Sequence, residues 1–163
     1  MIRPTEPRDT PGLLETARGT GVFRDLEIQA LKEVLDDYHA ENRDLGHVSV
    51  SYEEGGRVVG LAYYAPASMT DRAWYLYWII VGKPDQGRGV GGVLLRHAED
   101  AIRGLGGRLF LIETSSLPMY EPTRGFYRKH GYTQTATIPD YYTDGDDLYV
   151  FTRRFLPRED GSA

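Results

Sequence analysis

The chain has 163 residues, of which 40% are hydrophobic and 26% charged, and its net charge at pH 7 is −5. This length and balance predict one globular domain with a sizeable core. The acidic charge, without a long basic stripe, speaks against nucleic acid as the main partner. The absence of cysteine excludes disulfides and a cysteine acyl-enzyme.

Neither a metal site nor a membrane segment is indicated. The four histidines are scattered and lack metal-ligand spacing. No apolar run reaches membrane-spanning length, and the stretch that begins at Met1 lacks the pattern of a secretory signal. We therefore expect a cytoplasmic protein that holds no metal and contacts no membrane.

The first half of the chain predicts two helices followed by an antiparallel hairpin. Apolar residues recur at helical spacing over 10–18 and again over 28–38. They alternate over 47–52 and 57–64, and the acidic, glycine-containing segment 53–56 between them is typical of a hairpin turn. Two strands should therefore pair there.

The middle of the chain predicts strand, glycine turn, helix and strand. Residues 73–81 are nearly all apolar, as expected of a central strand buried on both faces. The helix should begin at Val90, and its predicted buried face contains Val90, Val93, Leu94, His97, Ala101 and Leu105. On this prediction His97 is packed rather than catalytic. A strand over 108–114 follows this crossover helix, so we expect it to pair in parallel with 73–81.

The last third predicts a short helix and two more strands. The helix should span 119–130 and end at Gly131 in the left-handed conformation. Strands are expected over 132–138 and 148–154, separated by a polar loop.

These elements predict a mixed α+β fold. Antiparallel strands come first, one parallel crossover follows, and a hairpin ends the sheet, with helices on both faces. We expect a single domain over 1–156 and a frayed polar tail at 157–163.

The glycine turn after the strand 73–81 has the layout of an anion site. Four glycines lie in this turn: Gly87, Gly89, Gly91 and Gly92. The first amides of a helix have no internal partner, and glycine lets the backbone approach a bulky phosphate. Residues 86–92 therefore predict a phosphate-bearing cofactor.

Two other kinds of phosphate-binding loop share parts of this pattern. The triphosphatase loop needs a Gly-Lys-Ser/Thr ending, which is missing here. A dinucleotide fingerprint could use Gly87, Gly89 and Gly92, with Glu113 at the end of the next strand. The five residues from Gly82 to Gln86 separate strand from glycine, and too little chain follows for the remaining strand–helix units. This alternative is disfavoured but stays open.

Two segments resemble the GNAT superfamily of acyl-CoA N-acetyltransferases. The first matches the family's Gln/Arg-x-x-Gly-x-Gly/Ala loop and reads Gln86-Gly87-Arg88-Gly89-Val90-Gly91. The second, Tyr120 to Tyr132, ends in an aromatic-Tyr-x-x-x-Gly-aromatic signature. With their flanks they cover about residues 47–155.

The resemblance implies a GNAT-like fold, with a mostly antiparallel central sheet and one splayed parallel strand pair, and acetyl-CoA as co-substrate. Loop amides would hold the pyrophosphate, and the backbone of the preceding strand would hold the pantetheine arm. The implied cofactor-binding residues are Ile79, Ile80, Val81, Gln86, Gly87, Arg88, Gly89, Val90, Gly91, Gly92, Thr123 and Tyr127.

The resemblance also implies that Tyr127 is the general acid, because a departing thiolate needs a proton and a phenol can donate one. The chain departs from the family at three positions. Tyr120 stands where many members have Asn, Thr123 where they have Ala, and Tyr75 where they have a glutamate base. The base is therefore unassigned; Glu113 is one candidate and a water relay is another.

The acceptor is predicted to be a primary amine of a small molecule. Aromatic side chains with acids suit an ammonium group, and the candidates are Tyr75, Tyr77, Tyr142 and Asp146. The alternatives are an inactive CoA-binding sensor of the same fold and the dinucleotide-binding protein. The oligomeric state stays open, with a homodimer as one option.

Overall fold

A computed structural model describes residues 1–156, so the predicted tail at 157–163 lies outside the described residues. The strands are β1 (Ile2–Pro4), β2 (Val48–Glu54), β3 (Arg57–Pro66), β4 (Ala73–Val81), β5 (Leu109–Ser115), β6 (Thr133–Thr143) and β7 (Asp146–Arg154). The α-helices are α1 (Thr10–Gly19), α2 (Asp25–Ala40), α3 (Val90–Gly104) and α4 (Glu121–Lys129).

The strands form one sheet in the order β1-β2-β3-β4-β5-β7-β6. It is mostly antiparallel, and β4 and β5 form the parallel pair, with Ala73 opposite Leu109 and Leu76 opposite Ile112. The predicted mixed α+β fold is therefore confirmed, including the crossover through α3.

The chain divides into two compact units. The first unit comprises Met1–Ala65 and Tyr77–Asp100, and the second comprises Pro66–Leu76 and, of the described residues, 101–156. Two elements are therefore shared: β4 begins in the second unit and ends in the first, whereas α3 begins in the first unit and ends in the second.

The core of the first unit packs α1 and α2 against the sheet. Its buried members are Leu13, Leu14, Ala17, Ile28, Leu31, Leu35, Leu61 and Ile80. The β2–β3 hairpin closes through Gly55 and Gly56, whose φ angles of 59° and 75° suit a type I′ turn. This turn confirms the hairpin predicted from the sequence.

The predicted buried face of α3 is wrong by one position. Val93, His97 and Leu105 are exposed, and the buried apolar side chains are those of Val90, Leu94, Leu95, Ala98 and Ile102; Glu99 is buried as well. Gly60 in β3 explains the rotation, because a Cβ there would lie 3.0 Å from Leu94 Cδ1 and 3.5 Å from Val90 Cγ1. The missing side chain leaves a notch into which these two helix residues pack.

In the second unit, β5 pairs with β7 along its whole length, and Phe110, Ile112 and Phe151 are buried. The edge strand β6 differs, because all of its residues are exposed. Its hydrogen bonds to β7, and not burial of its side chains, hold it in the sheet.

The polar loop predicted between the last two strands is also wrong. β6 continues to Thr143 and β7 begins at Asp146, so only a tight turn through Gly145, with φ 83°, separates them. Asp140 has φ 54° and interrupts the pairing. Its amide donates to Asp147 Oδ1 at 2.9 Å, and its own carboxylate accepts from the Gly145 amide at 2.8 Å. Carboxylates thus satisfy the backbone of a segment whose composition is typical of a loop.

We expect Gly107→Ala to destabilise the protein, because a Cβ there would lie 2.1 Å from Ile102 Cγ2 and 2.8 Å from the Ile102 carbonyl oxygen. The overpacking should lower the free energy of unfolding by about 1–3 kcal/mol. Gly104→Ala is the matched control, since nothing in the described part of the chain, apart from its own helix, lies within 4 Å of its Cβ position at the end of α3. It should leave stability unchanged or raise it by up to about 1 kcal/mol. Denaturant unfolding of both variants measures the difference, and equal stabilities would contradict the packing argument.

Candidate functional site

The glycine loop of the first unit leads from β4 directly to the start of α3. After Val81 a short 3₁₀ turn spans Lys83–Asp85, and Gly87 and Gly89 then adopt φ angles of 76° and 85°. Apart from the adjoining residues, no atom within residues 1–156 lies within 4 Å of an added Cβ at either glycine. Backbone conformation, not crowding, therefore requires glycine here, and open space borders both positions. This is a cradle that an anion could occupy at a helix N-terminus.

The two polar side chains of the loop are engaged within the protein. Gln86 Nε2 donates to the Val81 carbonyl at 3.0 Å. Arg88 donates to both carboxylate oxygens of Glu54, at 2.9 and 3.0 Å, and to Asp85 Oδ1 at 2.9 Å. The backbone amides of the loop, rather than these side chains, are thus the groups oriented for a ligand.

Tyr127 lies in α4 of the second unit and is 5% exposed. Its ring packs between Phe126, Tyr132 and Phe151, at centroid distances of 5.5, 6.1 and 6.0 Å. No hydrogen bond joins its hydroxyl to another residue within 1–156, and this oxygen is not among the fully buried atoms that lack a partner. Burial raises the pKa of this phenol well above its usual value. The raised pKa means that this phenol carries its proton at neutral pH.

A buried arginine holds the junction between β5 and α4. Arg124 donates through Nη1 to the carbonyls of Ser115 and Leu117, at 2.6 and 2.9 Å, and through Nη2 to Glu121 at 2.9 Å. The Ser115 hydroxyl in turn donates to Asp146 Oδ1 at the start of β7. These contacts fix α4, and Tyr127 with it, against β5 and β7.

Glu113, Tyr142 and Asp146 form a cluster near the end of β5. Tyr142 is 43% exposed, but partial desolvation of its phenol, together with the charges of Glu113 and Asp146, raises its pKa to about 12. Glu113 is exposed and has no partner among the residues that the structure describes. Asp146 is buried and accepts from Ser115. Glu113 is therefore the carboxylate left available for a cation or a proton.

The two strand tyrosines predicted to bind the acceptor lie in different units: Tyr75 in the second and Tyr77 in the first. Tyr77 is 53% exposed, and its ring meets Tyr63 edge-on at 6.3 Å. Tyr63 hydrogen bonds to His47 Nδ1 at 2.7 Å. Sequence reasoning missed this pair, although the hairpin register places Ser49 opposite Tyr63 and hence His47 near it.

Arg124 was also missed, and no sequence signal marked it. Thr123 lies on α4 and is half-buried. Over residues 1–156, no group of three or more acidic or histidine side chains is placed to hold a metal ion. No helix in that range is long and apolar enough to cross a membrane.

Solved structures share this fold. A structure from Desulfovibrio desulfuricans, described as an acetyltransferase of the GNAT family, superposes with a TM-score of 0.91 and 30% identity, covering 96% of this chain and 99% of that one. An aminoglycoside 6′-N-acetyltransferase complexed with coenzyme A superposes with a TM-score of 0.75 and 16% identity, covering 98% of this chain and 99% of that one. The ribosomal-protein-S18-alanine N-acetyltransferase from Escherichia coli superposes with a TM-score of 0.78 and 15% identity, covering 100% of this chain and 98% of that one.

The last two identities are low, so these two likenesses show the fold alone. No curated protein matches the sequence. The sequence profile of the acetyltransferase (GNAT) family matches residues 14–132. That match spans most of the chain and contains both the glycine loop and the helix that carries Tyr127. The chain therefore belongs to the GNAT acetyltransferase family.

Proposed function

We propose that the protein transfers an acetyl group from acetyl-CoA to the primary amine of a small molecule, by direct attack and without a covalent enzyme intermediate. The observation that carries this proposal is the Tyr127 hydroxyl. Its aromatic ring is buried in a packed cluster, and no hydrogen bond joins its hydroxyl to another residue within 1–156. In that range the buried side-chain atom without a partner is His39 Nε2, so the Tyr127 oxygen keeps access to solvent and is open to a ligand.

The glycine loop supplies the site for the co-substrate. The amides of Gly87 to Gly91 would hold the pyrophosphate, beside the open space at the two left-handed glycines. Backbone groups of Ile79 and Val81 would hold the pantetheine arm as another strand would. The aminoglycoside acetyltransferase of the same fold was crystallised with coenzyme A, which supports this choice. Acetyl-CoA brings the activated thioester.

Tyr127 Oη would protonate the departing thiolate. The raised pKa keeps this phenol in its acid form throughout the physiological range, so the proton is present whenever it is needed. The aromatic packing around its ring fixes the direction of the hydroxyl.

Glu113 would take the proton that the amine loses, because it is the unpaired carboxylate of its cluster. Tyr142 would line the amine site next to it. Asp146, held in place by its hydrogen bond from Ser115, would border that site and add negative charge that attracts an ammonium group. Tyr75 and Tyr77 remain proposed contacts for the body of the acceptor.

We expect acetyl-CoA to raise the melting temperature of the protein and NAD to raise it less, since a ligand that binds only the folded state stabilises it by mass action. Thiol release from acetyl-CoA, followed over a panel of small amines and basic peptides, tests turnover and acceptor class together. Turnover should be faster with small amines. Stabilisation by acetyl-CoA without turnover on any amine would identify a CoA sensor. Equal stabilisation by NAD would contradict the assignment of acetyl-CoA as co-substrate. Faster turnover with basic peptides would contradict the small-molecule acceptor.

We expect Tyr127→Phe to lower kcat by about 100-fold, because general acid catalysis contributes at least that much. Coenzyme A affinity and stability should change little, since the ring stays. Because burial raises the pKa of Tyr127, the wild-type kcat profile should show no descending limb from this phenol up to about pH 10.

Tyr132→Phe is the matched control, because it removes a hydroxyl from the same aromatic cluster. Its kcat should stay within a few-fold of wild type. If Tyr127→Phe also kept a near-normal kcat, Tyr127 would be a packing residue.

A further inference from the structure

The guanidinium of Arg88 joins three segments of the first unit. It lies in the loop itself, and Glu54 ends β2 beside the hairpin turn. Asp85 closes the 3₁₀ turn that precedes the loop. Nη1 donates to Glu54 Oε2 and to Asp85 Oδ1, and Nη2 donates to Glu54 Oε1. One side chain thus ties the loop to what precedes it and to the neighbouring hairpin.

The loop needs such a tie because of its glycines. Arg88 stands between Gly87 and Gly89, both left-handed, and neither glycine has a side chain that could pack. Glycine has the most backbone freedom to lose when a conformation is fixed. The Arg88 side chain lies between these two positions and anchors the turn from its middle.

The Arg88 and Glu54 side chains are 49% and 45% exposed, and an ordinary ion pair at such a surface contributes little because both groups are hydrated and mobile. This contact differs in its geometry and in its second carboxylate. The Glu54 contact is bidentate, which fixes the plane of the guanidinium. Asp85 is 3% exposed, and its other oxygen lies 3.4 Å from Arg57 Nη1. Withdrawing Arg88 would leave a buried carboxylate with only this long contact, which is unfavourable.

These contacts also argue against Arg88 as a ligand for phosphate. The guanidinium nitrogens of Arg88 already donate to two carboxylates. A phosphate that reached the same nitrogens would come close to both negative charges and be repelled by them. The pKa of Glu54 is lowered, first by its hydrogen bond from Arg88, so this carboxylate stays ionised at neutral pH.

We propose that Arg88 is a positioning residue: Glu54 and Asp85 hold its side chain in place, and this three-residue latch keeps the loop amides in their anion-binding arrangement before the co-substrate arrives. Preorganisation of this kind raises affinity by lowering the ordering cost of binding. That the anion is coenzyme A rests on the proposed function. That Arg88 orders the loop does not.

The experiment compares Arg88→Lys and Glu54→Gln in the full-length protein. Lysine keeps the positive charge but cannot make the bidentate contact. Glutamine keeps the size of Glu54 and removes its charge. Each variant should weaken coenzyme A binding by about fivefold in calorimetry. The KM for acetyl-CoA should rise with them, while kcat at saturation stays unchanged.

Matched controls are Arg43→Lys and Glu41→Gln, both exposed and, within the described residues, without a side-chain hydrogen bond or ion pair. They make the same chemical changes in the same unit, and their coenzyme A affinity should equal that of the wild type.

If Arg88 instead binds phosphate directly, Glu54→Gln would release it and coenzyme A would bind more tightly, whereas Arg88→Lys would keep most of the affinity. Either result would overturn the latch. Hydrogen exchange of residues 85–89 without any ligand gives an independent readout. Exchange should be faster in both latch variants than in the controls, and unchanged exchange would also overturn the proposal. This readout separates failure of the latch from failure of the coenzyme A assignment.

Discussion

The first unit depends on one backbone constraint: the chain must leave a buried strand, turn, and enter a helix while its amides stay open to a ligand. Gly87 and Gly89 meet the constraint by adopting left-handed conformations, which a side chain would strain. Burial on both sides then holds the turn in place. Ile80 lies in the core before it, and Leu94 packs into the notch at Gly60 after it. The amides are therefore presented by two elements that are rigid for reasons unrelated to any ligand.

In the second unit, the ring of Tyr127 is buried beside polar groups whose hydrogen bonds are satisfied. Arg124 meets the carbonyls of Ser115 and Leu117, and the Ser115 hydroxyl meets Asp146. In these bonds polar groups satisfy one another, so the aromatic side chains around Tyr127 pack without polar neighbours to accommodate. The phenol of Tyr127 therefore loses hydration as a core residue does, and this loss favours its protonated form. Its position is determined by hydrogen bonds made one turn earlier on the same helix.

Sequence patterns predicted those features that depend on local periodicity. The strand Ala73–Val81 and the helix start at Val90 agree with the prediction residue for residue, because a continuous apolar run and a glycine turn are strong signals. The buried face of α3 was missed by one position, since the notch at Gly60 belongs to another strand. The contacts of Arg124 and Arg88 join residues distant in sequence or commit side chains to unexpected partners. Composition and spacing carry no record of such pairings, so the loop amides could be predicted but the network that supports them could not.

Both β4 and α3 cross from one unit into the other, and this sharing has a consequence for synthesis of the chain. The ribosome releases Met1–Ala65 first, but the first unit is complete only when Asp100 has emerged. Residues 66–76 leave the ribosome before that point, yet their strand partner β5 begins only at Leu109. The start of β4 must therefore wait, unpaired on that side, while the whole of α3 is made. No contiguous fragment of the chain contains one complete unit without part of the other.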